Sequence, residues 1–404
     1  MEDGTDACAH LAKAAAALAV LSLLAVALSG FAPSHASAVL PLISSVVPSA
    51  DSAGVFPWSS PLFAAFRYDG GQVLGTYVQF AYDPSSGTVR SVLGLAGNAP
   101  VLYVGSIQIS GFAPARGASA RGPTFQAEGY LATITAHDDP TVLLEVRTDV
   151  ARTAAIELPA GATNVSVQTA PGSWPASSIS YTVGEEQARF LLGVGSFSVN
   201  GIRVVAKMAD SDLLTFKSVP PSAENRGEWL AVLDAIGAGH IVAELDLVAT
   251  ADGRWVQNVV QYRLGVSGWA LHVEPGRASV QVDSLLPGGA TVLLAFDQAT
   301  MPFNAPTELQ IRANAGEANR TESPLALFFS SEPRSRGPSY SVLSFPDTVV
   351  ALYLPSLAAV SIEVVSSRAN GPPAGLQADS EIAMIAALAI VSAAAARMLR
   401  RKNE

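Results

Sequence analysis

The stretch VLGTYVQFAYDPSSGTVRSVLGL, residues 73–95, decides the fold class of this chain. Its two arms are rich in β-branched and aromatic residues, which favour strands. Between the arms lies DPSSG at 83–87, a combination typical of tight turns, because Asp and Ser bond to nearby backbone and Gly accepts a left-handed conformation. The stretch is therefore predicted to be a β-hairpin with strands at 73–82 and 88–95.

The same alternation of short strand-like runs and Asp, Pro or Gly turns continues along the chain. The runs at 125–135 and 326–329 are each predicted to be a strand, and those at 240–250 and 255–264 to be a long hairpin. Short strands at regular spacing are typical of β-sandwiches and barrels. The predicted fold class is therefore all-β.

One segment departs from the strand pattern. Trp229, Leu233 and Ile236 recur at helical spacing, Ser222 suits an N-cap, and Gly237 suits the C-terminal end. This short helix marks a natural boundary between two β-sandwich-like domains. The predicted divisions are a signal peptide at 1–38, a Pro/Ser-rich lead-in at 39–60, a first sandwich-like domain at 61–220, the helix and a second sandwich-like domain at 221–365, a stalk at 366–380, a transmembrane anchor at 381–399 and a basic cytoplasmic tail at 400–404.

The N-terminal apolar run, AAAALAVLSLLAVAL at 14–28, has the length of a signal-peptide core. Ala36-Ser37-Ala38 follows as a small-x-small site, which predicts cleavage after Ala38. The residues before the run are more acidic than those of most signal peptides. An uncleaved N-terminal anchor and a later start codon therefore stay open as alternatives.

The C-terminal apolar run, IAMIAALAIVSAAAA at 382–396, predicts a membrane anchor because it has no polar face. Basic residues are retained on the cytoplasmic side of a membrane, so the bulk of the chain is predicted to lie outside. Most of the insertion energy is expected from Ile382, Ile385, Leu388, Ile390, Val391 and Leu399. The orientation is expected to be set by Arg397, Arg400, Arg401 and Lys402.

Composition excludes several classes of function. The net charge is −10, with 24 Lys and Arg against 34 Asp and Glu, and no basic patch suited to nucleic acid is visible. The single cysteine, Cys8, lies in the predicted signal peptide, so the mature chain has no thiolate for catalysis or metal binding. No cofactor is predicted.

No contiguous catalytic motif is present, and no catalytic residue is assigned. His137, Asp138 and Asp139 form the best local constellation. They are a weak candidate for a metal site, and a polar turn with Asp139 before a proline is the favoured interpretation. Glu244 and Asp246 have the i, i+2 spacing that places both carboxylates on one face of a strand.

Two further signals concern the surface. Trp229, Trp255 and Trp269 predict either an exposed platform for carbohydrate or ordinary core packing. The sequons at Asn164 and Asn319 predict glycan acceptors if the producing cell glycosylates.

These features together favour a single-pass membrane protein of the cell surface, with a non-catalytic β-rich ectodomain for binding, adhesion or envelope structure. Its expected partners are the membrane and other surface proteins or glycans. An anchored exported hydrolase with scattered carboxylates and one His is an alternative. An accessory subunit of an envelope membrane complex is another.

Overall fold

The computed structural model describes residues 60–95, 99–170, 172–219, 226–250, 254–285, 288–303, 305–329, 337–344 and 348–367, which belong to one compact unit. This part of the chain is nearly all β, which confirms the predicted fold class. None of its helices is long and apolar enough to cross a membrane. Ala38, both apolar runs, the basic tail and all but the first two residues of the predicted stalk lie outside the described residues; Ser366, the first of these two, is the last residue of a strand.

The first sixteen strands form two eight-stranded antiparallel sheets. They are β1 (Arg67–Asp69), β2 (Gln72–Leu74), β3 (Val78–Asp83), β4 (Thr88–Gly94), β5 (Val101–Ile109), β6 (Pro114–Arg121), β7 (Thr124–Gly129), β8 (Ala132–His137), β9 (Leu143–Thr148), β10 (Arg152–Glu157), β11 (Ala162–Thr169), β12 (Ser177–Val183), β13 (Glu186–Leu192), β14 (Ser196–Asn200), β15 (Arg203–Met208) and β16 (Asp212–Ser218). The first sheet has the order β1-β2-β3-β4-β5-β10-β15-β14, and the second has the order β11-β12-β13-β16-β9-β8-β7-β6.

One apolar core is shared by these two sheets. Phe125 of β7, in the second sheet, packs edge-on against Phe80 and Tyr82 of β3, in the first, at centroid distances of 5.3 and 5.4 Å. Edge-to-face packing of this kind adds to the free energy gained from burying the rings themselves.

The later strands form a six-stranded sheet and a five-stranded sheet around a second core. They are β17 (Ile241–Ala249), β18 (Trp255–Gln261), β19 (Val266–Glu274), β20 (Arg277–Ser284), β21 (Ala290–Phe296), β22 (Leu309–Ala313), β23 (Gly316–Glu317), β24 (Asn319–Arg320), β25 (Ser339–Ser344), β26 (Thr348–Leu354) and β27 (Val360–Ser366). The six-stranded sheet has the order β18-β17-β21-β26-β25-β24, and the five-stranded sheet has the order β19-β20-β27-β22-β23.

Two α-helices and a short 3-10 helix (Pro306–Glu308) interrupt the strands of the described part of the chain. Helix α1 (Arg226–Gly237) confirms the predicted helix, although the proposed N-cap Ser222 lies outside the described residues. Helix α2 (Pro324–Phe329) occupies the run at 326–329 that was predicted to be a strand. That prediction was wrong because a short apolar run has no periodicity that separates a strand from a buried helical turn.

The turn at 83–87 joins β3 to β4 as predicted. The predicted strand at 73–82 is divided into β2 and β3, which pair with each other, and the chain reverses where the distant Asp138 carboxylate binds the N–H groups of residues 76–78. The Asp83 carboxylate accepts bonds from the Ser85 N–H and hydroxyl at 2.9 and 2.6 Å and from the Ser86 hydroxyl at 2.8 Å. Gly87 closes the turn at a φ of +64°. The hydrogen bonds from Ser85 hold the pKa of Asp83 below its usual range.

The run at 125–135, predicted as one strand, is instead a hairpin of β7 and β8. The chain reverses at Tyr130 and Leu131, which are both exposed. A turn that carries two large apolar residues lacks the usual turn composition, and this concealed it from sequence analysis.

A third apolar cluster joins the second eight-stranded sheet to the six-stranded sheet. It contains Leu191 of β13, Ile236 of α1 and Leu293 of β21. The strands β16, β21 and β26 are therefore buried on both faces, and β21 and β26 read as almost continuous apolar sequence.

Trp174, in the loop before β12, makes two close contacts across this junction. Its indole N–H donates to the Tyr262 carbonyl, 2.9 Å away, just beyond β18. Its own carbonyl oxygen faces Gly239, which follows α1 with a φ of +72°. A Cβ at Gly239 would overlap that oxygen, so the close approach requires glycine.

We predict that Gly239→Ala destabilises the chain more than Gly201→Ala does. Gly201 also has a left-handed φ, +60°, but a Cβ there meets nothing within 4 Å. Its replacement should cost only the backbone strain, ~1–2 kcal/mol. Gly239→Ala should lose about 1–3 kcal/mol more through overpacking. Urea denaturation followed by tryptophan fluorescence measures both, and equal losses would contradict the role of the Trp174 contact.

Candidate functional site

A group of polar side chains is buried where the second eight-stranded sheet meets the six-stranded sheet. We call this group the inter-sheet cluster, and each member is at most 6% exposed. From the eight-stranded side it contains His137, Asp139, Glu145 and Lys217. From the six-stranded side it contains Glu244, Asp246, Asn258 and Tyr262.

Lys217 of β16 is the cation at the centre of the cluster. Its Nζ donates to Glu244 Oε2 and to the Tyr262 hydroxyl, both at 2.7 Å. The Tyr262 hydroxyl in turn donates to Glu244 Oε2. Burial opposes the charge on Lys217, but Glu244 and the other nearby carboxylates outweigh it and raise the pKa of Lys217. The ammonium–carboxylate pair thus links the two sheets directly.

A second chain of hydrogen bonds crosses the same junction. His137 Nδ1 lies 2.5 Å from Asn258 Oδ1, and Asn258 Nδ2 donates to Asp246 Oδ2 at 2.9 Å. The amide oxygen can only accept, so Nδ1 carries the proton in this arrangement. His137 Nε2 is buried and has no hydrogen-bond partner among the described residues.

Glu145 of β9 makes a third link between the sheets. It accepts the N–H of Gln261 at 3.0 Å and pairs with Arg147 at 3.0 Å. Hydrogen bonds of Lys217, His137 and Glu145 therefore join the two sheets at three separate points of the cluster.

The cluster contains more carboxyl groups than cations, and its buried aspartates bind protons more strongly than free aspartates do. Burial raises the pKa of Asp139. Burial, reinforced by the nearby Glu244 and Asp139 carboxylates, raises the pKa of Asp246 well above its usual value. A buried carboxyl among other carboxylates favours its neutral form.

The predicted constellation His137, Asp138 and Asp139 is divided among three different partners. His137 bonds to Asn258, while Asp139 Oδ1 accepts the Thr141 N–H at 2.7 Å within its own turn. Within the described ranges, no group of three or more His, Cys, Asp or Glu residues could hold a metal ion.

Asp138 turns into the loop before β3. Its carboxylate accepts the N–H groups of Thr76, Tyr77 and Val78 at 2.8, 2.8 and 2.9 Å. Burial raises the pKa of Asp138 to about 6, and the three N–H donors oppose the shift. The Asp138 side chain therefore ties the loop before β3 to the end of β8, and both of its carboxylate oxygens are engaged in these hydrogen bonds.

Some of the site was visible in the sequence and some was not. Glu244 and Asp246 do share one face of β17, as their spacing predicted, and both enter the cluster. Lys217 and Asn258 were missed. The only signal for Lys217 was a lone cation in the apolar strand DLLTFKS.

The predicted glycan acceptors and tryptophans lie at different depths. Asn164 of β11 and Asn319 of β24 are both exposed, so each could be reached by a modifying enzyme. Trp229 and Trp255 are partly buried against apolar clusters, whereas Trp269 of β19 is 40% exposed.

Comparison with known proteins gives no family for this chain. No family model matches it, and no curated protein matches it. Among solved structures, a family 81 glycoside hydrolase from Clostridium thermocellum (an E515A mutant) matches with a TM-score of 0.31 and 10% identity over 78% of this chain and 39% of the hydrolase. The YidC insertase matches with a TM-score of 0.25 and 8% identity over 44% of this chain and 46% of its own.

We predict that Lys217→Met lowers the free energy of unfolding by ~3–5 kcal/mol, because Glu244 is left buried without its cation. The double variant with Glu244→Gln should recover much of this loss. Arg116→Ala is the matched control, since its pair with Glu128 is 83% exposed at the arginine, and it should cost at most ~1 kcal/mol. Urea denaturation midpoints measure all three, and a Lys217→Met loss no larger than the control would contradict the argument.

We also predict that the chain is more stable near pH 4 than at pH 7. Folded Asp138 binds its proton with a pKa of about 6 against 3.8 for the ordinary group. The folded state therefore holds more protons between these values, and stability falls as pH rises through them, by of the order of 3 kcal/mol for this group. Asp139 and Asp246 act in the same direction.

Asp138→Asn should flatten this pH dependence, because the amide has no proton to release between pH 4 and pH 7. Asp149→Asn, at an exposed carboxyl in the β9–β10 turn, should leave the slope unchanged. Thermal midpoints measured from pH 4 to pH 7 test both variants. A midpoint that rises with pH in the parent chain would show that Asp138 is not the controlling group.

Proposed function

We propose that this chain is a single-pass membrane protein of the cell surface whose β-rich ectodomain is non-catalytic and serves binding, adhesion or envelope structure. The observation that carries the proposal is the apolar run at 382–396 followed at once by basic residues. A segment with no polar face favours lipid over a protein surface. The basic tail then favours a cytoplasmic C-terminus and an exported ectodomain.

The finer architecture belongs to the same proposal. We take the two eight-stranded sheets as one sandwich-like domain and the six- and five-stranded sheets as another. Each pair has its own apolar core, which supports this division. A transmembrane helix at 381–399 would follow the stalk predicted at 366–380, whose first residue, Ser366, still belongs to β27.

The inter-sheet cluster supports a structural use of the buried charges. Lys217, Glu244 and Asp246 are all at most 6% exposed, and each bonds to a partner within the cluster. Hydrolysis needs carboxylates that reach substrate and water. A hydrolase that used these carboxylates would therefore require an opening of the junction between the sheets.

Protease accessibility on intact cells tests the topology. With a tag placed after Glu404, external protease should remove the ectodomain and leave a small tagged fragment in the membrane. Protection of the full-length chain until the cells are lysed would contradict the orientation or the export.

A charge variant sharpens the same test. Replacing Arg397, Arg400, Arg401 and Lys402 by Gln should reduce the fraction of chains with an internal tail, because these residues hold the tail inside. Replacing Arg116 and Arg121, two exposed arginines of β6, should leave the orientation unchanged. Equal behaviour of the two variants would remove the basic tail as the determinant of topology.

A further inference from the structure

The outer face of the five-stranded sheet presents a tryptophan beside rows of polar side chains. We call it the Trp269 face. Trp269 is 40% exposed and the neighbouring Leu271 is 43% exposed, both on the edge strand β19. On the opposite face of the same strands, side chains such as Val280 and Ile362 pack in the second core.

The register of the strands lines these side chains up in rows. Trp269 pairs with Gln281 of β20, which pairs with Ser361 of β27. Directly paired residues of antiparallel strands point to the same face of the sheet. One row therefore places an indole ring, an amide and a hydroxyl side by side.

A second row runs parallel to the first. His272 pairs with Ser279, Ser279 with Glu363, and Glu363 with Arg312 of β22. These strands span three intervals of roughly 4.8 Å each, so the row extends about 14 Å across the sheet. The two rows together offer a strip of hydrogen-bonding groups bordered by an aromatic ring.

A bulge in β19 widens the exposed edge. The register shifts between Ala270 and His272, so Leu271 and His272 both face outward while Val273 returns to the core. Bulges re-aim side chains and are common next to functional sites. Here the bulge adds a polar ring to the outward set without exposing Val273.

The charged groups in the middle of this face are paired with one another. Arg277 donates to Glu363 from Nε and Nη2, at 3.0 and 2.6 Å. Arg312 also lies within ion-pair distance of Glu363, at 3.8 Å, and His272 lies 3.3 Å from Glu274. Glu363 is shared by the two arginines, and two further carboxylates, those of Glu274 and Asp283, lie on the same face. Carboxylates therefore outnumber arginines on this face, and it offers little to an anionic ligand.

We infer that the Trp269 face binds a neutral polysaccharide. The indole would stack on the apolar face of a sugar ring, because an aromatic ring supplies a large, rigid apolar surface. Gln281 and Ser279 would bond to hydroxyl groups of the same and the adjoining residue. The inference rests on the proposed function, since it names the ligand class for an exported binding surface.

Anionic polymers are disfavoured by the same observations. The chain has a net charge of −10, and such polymers are held mainly by basic groups that are free to contact them. A neutral ligand pays no such electrostatic cost, and its affinity should change little with salt.

Binding of the full-length chain, purified in mild detergent, to insoluble polysaccharides tests the inference. Cellulose, chitin and mannan are the neutral probes, and heparin and polygalacturonate immobilised on beads are the anionic ones. At least one neutral probe should retain the chain at low and high salt. Trp269→Ala should weaken that retention roughly tenfold or more, whereas Trp269→Phe should keep most of it.

Tyr130→Ala is the matched control, because Tyr130 is an aromatic residue 72% exposed on the other pair of sheets. It should bind like the parent chain. Retention only by the anionic probes, retention by none of the probes, or equal loss for Trp269→Ala and Tyr130→Ala would each overturn the inference. None of these outcomes bears on protease accessibility in cells, so failure here is distinguishable from failure of the proposed topology.

Discussion

The bond between Lys217 and Glu244 is the interaction on which the arrangement of the sheets depends. A buried ammonium is tolerated only opposite a carboxylate, and here the carboxylate lies on the other sheet. Apolar contacts alone would allow the two faces to slide, because the hydrophobic effect has no direction. Tyr262 bonds to both charges, so the six-stranded sheet is fixed in position as well as held in contact.

This constraint explains why the junction is both polar and closed. A charge pair fixes the position of two packed sheets only if it is removed from water, because water weakens the attraction. A pair buried in this way is also out of reach of a substrate. The excess of carboxyl groups then raises their affinity for protons, as at Asp246. A junction built in this way needs no disulfide, which suits a chain with one cysteine near its start.

Local features were predictable from the sequence, whereas pairings across the chain were not. The turn between β3 and β4 follows from turn chemistry, α1 follows from helical spacing, and the shared face of Glu244 and Asp246 follows from strand geometry. The partner of His137 could not be predicted, because Asn258 lies 121 residues away. Adjacency misled at Asp138, whose carboxylate turns to the loop before β3 instead of joining its neighbours.

The two polar sheet faces differ in how deeply their charged side chains are buried. On the inner junction the ionic groups are buried and serve the fold. On the Trp269 face, Arg277 and Glu363 pair in a similar way but remain partly open to solvent, with side-chain exposures of 29% and 19%. Single apolar residues exposed to solvent are ordinary, whereas an apolar patch rimmed by polar groups is typical of an interaction site. Trp269 and Leu271 lie together on this face, and the bulge in β19 brings His272 out beside them. The proposed ligand site therefore combines two exposed apolar side chains with neighbouring polar groups.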